Sequence, residues 1–598
     1  MAKRERMLHR QFSRVSAGLA CLALWAPFTL FAEAGPIVTP KRAVTDPRSI
    51  ESPRMEFARA PSASAVLQSA QSWDAVVTPD GQDLVYSADP TGRTNLWRIP
   101  LRGGPAVRLT TSDERQFDLA VSPDSATVIY GQDAGGAEMF DLYAVPRAGG
   151  EPVNLTNTPA ATETGAVFSA DGRRLAYAQR LQAAASSNLV VMDLGSRKTT
   201  VLTDERDPSR HWKAVAFTPD GRHVYATRHD IADRVSELWK IDVDTRRAVQ
   251  LSRGLTSKSN SASDISADGR YVALTIEDPQ GVRQAAVYDV TAGRLTVIAP
   301  GPWEQSARRF SPDGRWLLFV TNEDGRSLLG RYDLHSREVA ELALPPGVNS
   351  DYFGRLPALT ASGLVVFPHQ SGSRSMDYWV HDPASGRSSR ITQLAGQAVA
   401  NVPETRIVTY PSFDGTLISA VLWIPANAPR DGRNAAVVIA HGGPTGQTED
   451  RYDADAVALV SRGYFVIAPN PRGSTGYGAA FMRANVRDLG GGDLQDYVAG
   501  TKFLVDSGYV DPTRIGIMGT SYGGYMTMIA LGRAPDVFSA GVETCGITNW
   551  TSMHERGSPA LRAYQEGLIG HPVRDRDVYE RVSPLSYLDR VKIGRAHV

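Results

Sequence analysis

The sequence predicts two folds in series: a β-propeller, with seven blades expected, followed by an α/β-hydrolase domain. Three observations carry that prediction. A short phrase recurs about every 44–49 residues through the first two thirds of the chain. The last third alternates short apolar runs with segments of helical spacing. A Gly-x-Ser-x-Gly pentapeptide sits where one apolar run gives way to such a segment. At 598 residues the chain exceeds what one hydrophobic core organises, so two or more domains are required.

The first element is a targeting segment. "MAKRERMLHRQFSR" is basic, "VSAGLACLALWAPFTLFA" is apolar, and Ala32-Glu33-Ala34 fits a small-x-small cleavage site. Residues 1–34 are therefore expected to be a signal peptide, and the mature chain to be exported to a bacterial periplasm or secreted, without stable membrane insertion. The alternative is a retained anchor, because the apolar run is near spanning length. Lipidation at Cys21 is disfavoured: the apolar run continues past it, and Gly18 stands where a lipobox usually has Leu. Cleavage would leave Cys545 as the one cysteine, so no intrachain disulfide is expected. Residues 35–71 read as a linker.

The repeat follows, over 72–397. Its copies are "VTPDGQDLVY", "VSPDSATVIY", "FSADGRRLAY", "FTPDGRHVYA", "ISADGRYVAL", "FSPDGRWLLF" and a worn "LTASGLVVF". The turn aspartates are Asp80, Asp124, Asp171, Asp220, Asp268 and Asp313, with Ser362 in the seventh place. In each, the Asp side chain bonds local backbone, Gly supplies positive φ, and an apolar strand follows. One such sheet cannot bury its own faces, whereas a ring of them can. A propeller is also a common binding platform, so the repeat alone does not separate an enzyme from an adaptor.

The period changes near Glu404, and 398–592 reads as the hydrolase domain. "RIVTYPSFDGTLISAVLWIP" is a strand pair around Asp414-Gly415. Strand runs "AAVVIAHGG", "YFVIAPN", "RIGIMG" and "FSAGVETCG" then alternate with helical stretches, which argues for a parallel sheet covered by helices. Gly519-Thr520-Ser521-Tyr522-Gly523 falls between a strand and a helix, the setting a nucleophile elbow requires. Its serine stands at a helix N-terminus, where amides and dipole favour a developing negative charge. His441-Gly442-Gly443-Pro444 follows the expected third strand, where its backbone can offer an N–H to that serine.

"HGGPTGQ", "NPRGSTGYG" and "GTSYGGYM", in this order behind a propeller, resemble the prolyl oligopeptidase family of serine peptidases, and the first motif is more similar to its acylaminoacyl-peptidase branch. The repeat resembles TolB-type propellers. The resemblance implies Ser521 as nucleophile, with the Gly443 and Tyr522 N–H groups as oxyanion hole. Arg472, Trp550 and His554 are candidate substrate-binding residues, with bracing of loops near the active site the favoured reading of Arg472 and a plain surface role the alternative for His554.

An α/β-hydrolase orders its triad nucleophile, acid, histidine. In the family the acid and His lie beyond the segment that "SPLSYLDRVK" resembles, so the hydrolase domain is expected to be incomplete at its C-terminus. Back-translation of "IGRAHV" matches a frame of a sequencing adapter, and 593–598 is expected to be a non-native tail. The function expected of the intact parent is hydrolysis of short peptides through an acyl-enzyme, this chain being near-inactive. The alternatives are a propeller adaptor with a silent hydrolase domain and a carboxylesterase of the same fold. Lys plus Arg and Asp plus Glu number 64 each, which argues against a dedicated nucleic-acid binder. No His or Cys cluster has metal-ligand spacing, and no cofactor is implied.

Overall fold

The computed structural model describes residues 43–593, apart from 57–61, 63–65, 67–70, 185, 232–234, 258, 352–354, 395–401 and the side chain of 560. The expected signal peptide and most of the expected tail lie outside the described residues. No helix among the described residues is long and apolar enough to cross a membrane.

Seven four-stranded antiparallel sheets occupy residues 72–108, 116–154, 161–201, 210–250, 260–297, 305–342 and 358–390. The repeat phrase explains the shape of each. In the third copy Ser169 Oγ donates to Asp171 Oδ1 at 2.6 Å, the same oxygen accepts Arg173 N at 3.1 Å, and Gly172 turns the chain at φ 70°. The Thr218–Asp220 and Ser266–Asp268 pairs repeat this at 2.6 Å. The seventh copy, lacking Asp, pairs Thr360 and Ser362 hydroxyls at 2.9 Å instead.

Burial follows from the ring. Each neighbouring pair of blades shares its own apolar cluster, from Val85 and Leu96 against Val128 and Tyr130 round to Leu318 and Val320 against Val365 and Phe367. The seventh blade closes on the first without a disulfide. Val366 and Tyr378 pack with Leu84 and Tyr86, and the hydroxyls of Ser72 and Tyr378 meet at 2.7 Å. The single cysteine among the described residues, Cys545, is exposed and free.

The glycine of the fifth blade's turn is not interchangeable. A Cβ on Gly269, at φ 75°, would lie 2.8 Å from Pro219 Cδ of the preceding blade. Gly269→Ala is expected to cost roughly 1–2 kcal/mol, measured as a lowered urea midpoint at unchanged slope.

Within the α/β part, β1 (Arg406–Pro411), β2 (Leu417–Trp423), β3 (Asn434–Ala440), β4 (Phe465–Asn470), β5 (Val510–Thr520) and β6 (Ala540–Thr544) form one sheet ordered β1-β2-β4-β3-β5-β6. Strands β3 to β6 are parallel, as the alternation predicts. The Asp414-Gly415 turn folds β1 back on β2, and β2 runs antiparallel to β4, so the sheet is mixed. Both faces are covered. Helix α1 (Ala454–Val460) packs with Val421, Val466 and Ala468 on one. Helices α3 (Gly492–Asp506) and α4 (Tyr522–Arg533) pack on the other, after the short α2 (Gly478–Arg483). Beyond β6 come α5 (Trp550–Arg556), α6 (Pro559–Ile569) and α7 (Arg576–Val582).

The two parts are joined by polar contacts. The buried Asp450 accepts from Arg326 Nε at 2.7 Å, Gly372 N at 3.0 Å and Thr405 Oγ1 at 2.5 Å. Tyr477 OH donates to Asp324 at 2.7 Å, and Gly478 N to Glu304 at 3.2 Å.

Candidate active site

The elbow is built by strand, glycine and helix in turn. Strand β5 ends at Thr520 and α4 begins at Tyr522, leaving Ser521 between them at φ 62°, ψ −118°. That is a costly conformation for a residue with a Cβ, and such strain concentrates at functional sites. Two backbone hydrogen bonds hold it. Ser521 N donates to Thr544 O of β6 at 2.9 Å, and Ser521 O accepts Tyr525 N at 2.9 Å. The flanking glycines admit neighbours that any side chain would displace: a Cβ on Gly519 would lie 2.6 Å from the Gly523 carbonyl carbon, and one on Gly523 would overlap the Ala440 carbonyl. Ser521 is consequently exposed while Tyr522 to Ile529 pack inward.

The loop after β3 reaches the same place. A Cβ on Gly442 would start 3.7 Å from Ser521 Cβ, and Gly443 follows at φ 134°, leading into a cis Gly443–Pro444 bond. Gly443 N–H has no hydrogen-bond partner among the described residues. Tyr522 N–H, at the first position of α4, has no intrahelical partner by construction. Two amides thus remain unspent on either side of the serine.

His441 does not face Ser521 as a base. Its Nδ1 lies 2.8 Å from Gly442 O and so carries the proton, and its Nε2 lies 3.0 Å from Ser474 Oγ. Burial lowers its pKa, keeping the ring neutral. Behind the elbow, Tyr522 OH donates at 2.6 Å to the fully buried Asp493, whose pKa burial pushes up to about 7.

The three candidate substrate-binding residues are placed elsewhere by their partners. Arg472 is committed to two carboxylates: Asp496 at 2.9 and 2.8 Å from Nε and Nη2, and Asp414 at 2.9 and 3.2 Å from Nη1 and Nη2. It fastens the β1–β2 turn to α3, the bracing role. Trp550 is 3% exposed, its ring tilted onto Tyr522 and Tyr525 in the core, so it backs the elbow. His554 Nε2 sits 2.9 Å from Glu566 of α6, joining two helices. Neither Trp550 nor His554 lines the cavity described next.

That cavity, of about 1840 Å³, lies between the inner strands of the propeller and the α/β part. Its α/β wall includes Thr445, Thr475, Met482 and Tyr564, and the Thr445 and Tyr564 hydroxyls meet at 2.7 Å. Thr445 stands two residues past Gly443 in sequence, whereas Ser521, Tyr522 and Gly443 themselves are not among the residues that line the cavity. Sequence reasoning singled out neither Thr445, although it lies within "HGGPTGQ", nor Tyr564, which no motif marks. Among the described residues no group of His, Cys, Asp or Glu could hold a metal ion.

Comparison with known proteins agrees with this architecture. Residues 67–262 match the TolB beta propeller domain, and 451–597 match the prolyl oligopeptidase family. Dipeptidyl aminopeptidase BIII of Pseudoxanthomonas mexicana is 26% identical over 559 residues, which cover 86% of this chain and 76% of that protein. A puromycin-hydrolyzing peptidase of Mycobacterium tuberculosis superposes with a TM-score of 0.77 at 22% identity, covering 92% of this chain and 88% of the other. The Pyrococcus horikoshii acylaminoacyl peptidase does so with a TM-score of 0.68 at 19% identity, covering 90% and 86%. A propeller of seven blades and a hydrolase sheet with its serine elbow thus coincide with a TolB beta propeller match over 67–262 and a prolyl oligopeptidase family match over 451–597, the region that holds Ser521.

Proposed function

We propose that the chain's chemistry is acyl transfer from short peptides to Ser521. The observation that carries the reading is the exposed Ser521 at its strained turn, flanked by the unspent Gly443 and Tyr522 N–H groups. Attack of Oγ on a peptide carbonyl would place the oxyanion between those amides, each donor contributing roughly 3–4 kcal/mol to the transition state. The cavity's enclosure between propeller and sheet favours short or unfolded peptides over folded proteins. An exported chain, working in a periplasm or outside the cell, fits the basic-then-apolar residues 1–34.

The serine needs a base, and among the described residues no side chain hydrogen-bonds its hydroxyl; His441 and His554 are held by other partners. We therefore expect turnover by this chain roughly six orders of magnitude below that of an enzyme with a full triad, the amides and binding alone contributing the remainder.

A fluorophosphonate probe tests the assignment. The expected result is slow labelling of this chain that Ser521→Ala abolishes. Labelling that persists in Ser521→Ala overturns it, and a chain that stays unlabelled favours the adaptor reading. A panel of matched peptides and esters on the same chain separates peptidase from carboxylesterase.

A further inference from the structure

The cavity holds a cation that no described residue neutralises by contact. Arg308 projects from the propeller strand Gln305–Phe310 into the cavity wall. Its Nε is buried without a hydrogen-bond partner, and no carboxylate lies within 4.0 Å of the guanidinium among the described residues. Its neighbours differ. Arg283, Arg309 and Arg355 line the same cavity, and each holds a carboxylate: Glu304, Asp264 at 3.5 Å, and Asp74 with Asp118, respectively.

The carboxylates that face Arg308 from farther off are Asp351 and Glu449, and both are engaged. Asp351 accepts the backbone N–H groups of Arg355 and Leu356 at 3.2 and 3.1 Å, and Glu449 is held by Arg451. Burial pushes the Arg308 pKa down, as expected where a guanidinium loses water and gains no contact ion. It nonetheless stays charged, because an arginine is not deprotonated in proteins. Enclosing an unpaired cation destabilises a fold, which makes its retention informative. Arg308 shares the cavity with Thr445 and Tyr564 of the α/β wall.

We propose that Arg308 is a substrate-binding residue whose guanidinium clamps a carboxylate of the bound peptide, giving the cavity a preference for peptides with a free C-terminal acid or an acidic side chain. A planar fork that donates to two oxygens at once suits a carboxylate better than a neutral carbonyl. This deepens the peptidase reading and rests on it for the ligand's being a peptide.

Binding, not turnover, tests it. Calorimetry on the full chain would compare N-acetyl-trialanine as free acid, the same peptide as C-terminal amide, and an amidated N-acetyl-Ala-Glu-Ala. The free acid or the glutamyl peptide is expected to bind at least about tenfold tighter than the trialanine amide. The tighter of the two assigns the carboxylate to main chain or side chain. Arg308→Met should erase the difference while leaving the melting temperature unchanged or raised, and Arg308→Lys should retain part of it. Equal binding of acid and amide by the wild-type chain, absence of binding by all three, or a preference that survives Arg308→Met overturns the proposal. Fluorophosphonate labelling of Ser521 does not involve Arg308. A chain that prefers the acid but does not label keeps this site and loses the peptidase reading, and a chain that labels without preference does the reverse.

Discussion

Arg472→Met is expected to lower stability by about 3–5 kcal/mol, the range for breaking a buried ion pair from one side. The magnitude comes from what is left behind. Asp496 is fully buried, and its carboxylate accepts from Arg472 N at 2.8 Å, from the Arg472 side chain and from Ser412 Oγ at 2.6 Å. Burial raises its pKa even with Arg472 in place. Without the guanidinium the carboxylate has one hydroxyl and one amide against a desolvated charge. Asp414 would lose its clamp as well; Arg472 holds its pKa well below the usual carboxylate range. That loss matters less, because Asp414 is partly exposed and screened by solvent. Arg472→Lys should not rescue the variant, since one ammonium cannot serve two carboxylates through a planar fork. Equilibrium unfolding in urea checks both, and a loss below about 1 kcal/mol for Arg472→Met would show that the pair is replaceable.

The second large effect depends on pH. Asp493 titrates near 7 in the folded chain, because burial outweighs the hydrogen bond from Tyr522, against 3.8 for an exposed aspartate. Between those values the folded state binds a proton that the unfolded state has released. Stability contributed by this group is therefore greatest at low pH and is lost as pH rises through about 4 to 7, a fall on the order of 4 kcal/mol. Asp493→Asn imitates the protonated acid and keeps an acceptor for Tyr522 OH. Its stability relative to wild type should be nearly equal at pH 4 and should climb to its largest advantage above pH 7. A flat difference between the two unfolding curves across that window would remove Asp493 from the account. Because Tyr522 carries one of the two amides beside Ser521, fluorophosphonate labelling measured across the same window shows whether that charge disturbs the elbow.

The propeller and the elbow were legible because their chemistry is local. A typical blade turn is a Ser or Thr two residues before an Asp, with Gly next, and the bonds that shape it span five residues or fewer. Gly519 and Gly523 mark the elbow for a similar reason, since the atoms that exclude their side chains lie in the same turn or in the adjoining strand. Legibility failed where partners come from afar. Asp414 is 58 residues from Arg472 and Asp496 is 24, so the bracing role favoured for this motif arginine had no partners that the sequence could name. Trp550 looked like a pocket residue, and only its packing on Tyr522 and Tyr525 sets it behind the serine. Arg308 has no signature at all in "QSARRFSPDG": what sets it apart is that Asp264, Glu304, Asp74 and Asp118 are taken by its neighbours, which only the ring reveals.

The exposed Cys545 comes immediately after Thr544, whose carbonyl pins the backbone of Ser521. A thiol-reactive dye attached there would sit a few bonds from the elbow without occupying the serine, turning an otherwise silent chain into its own optical gauge of ligand arrival. With no sulfur bridge among the described blades, reductant can be kept in the buffer throughout such labelling without loosening the ring.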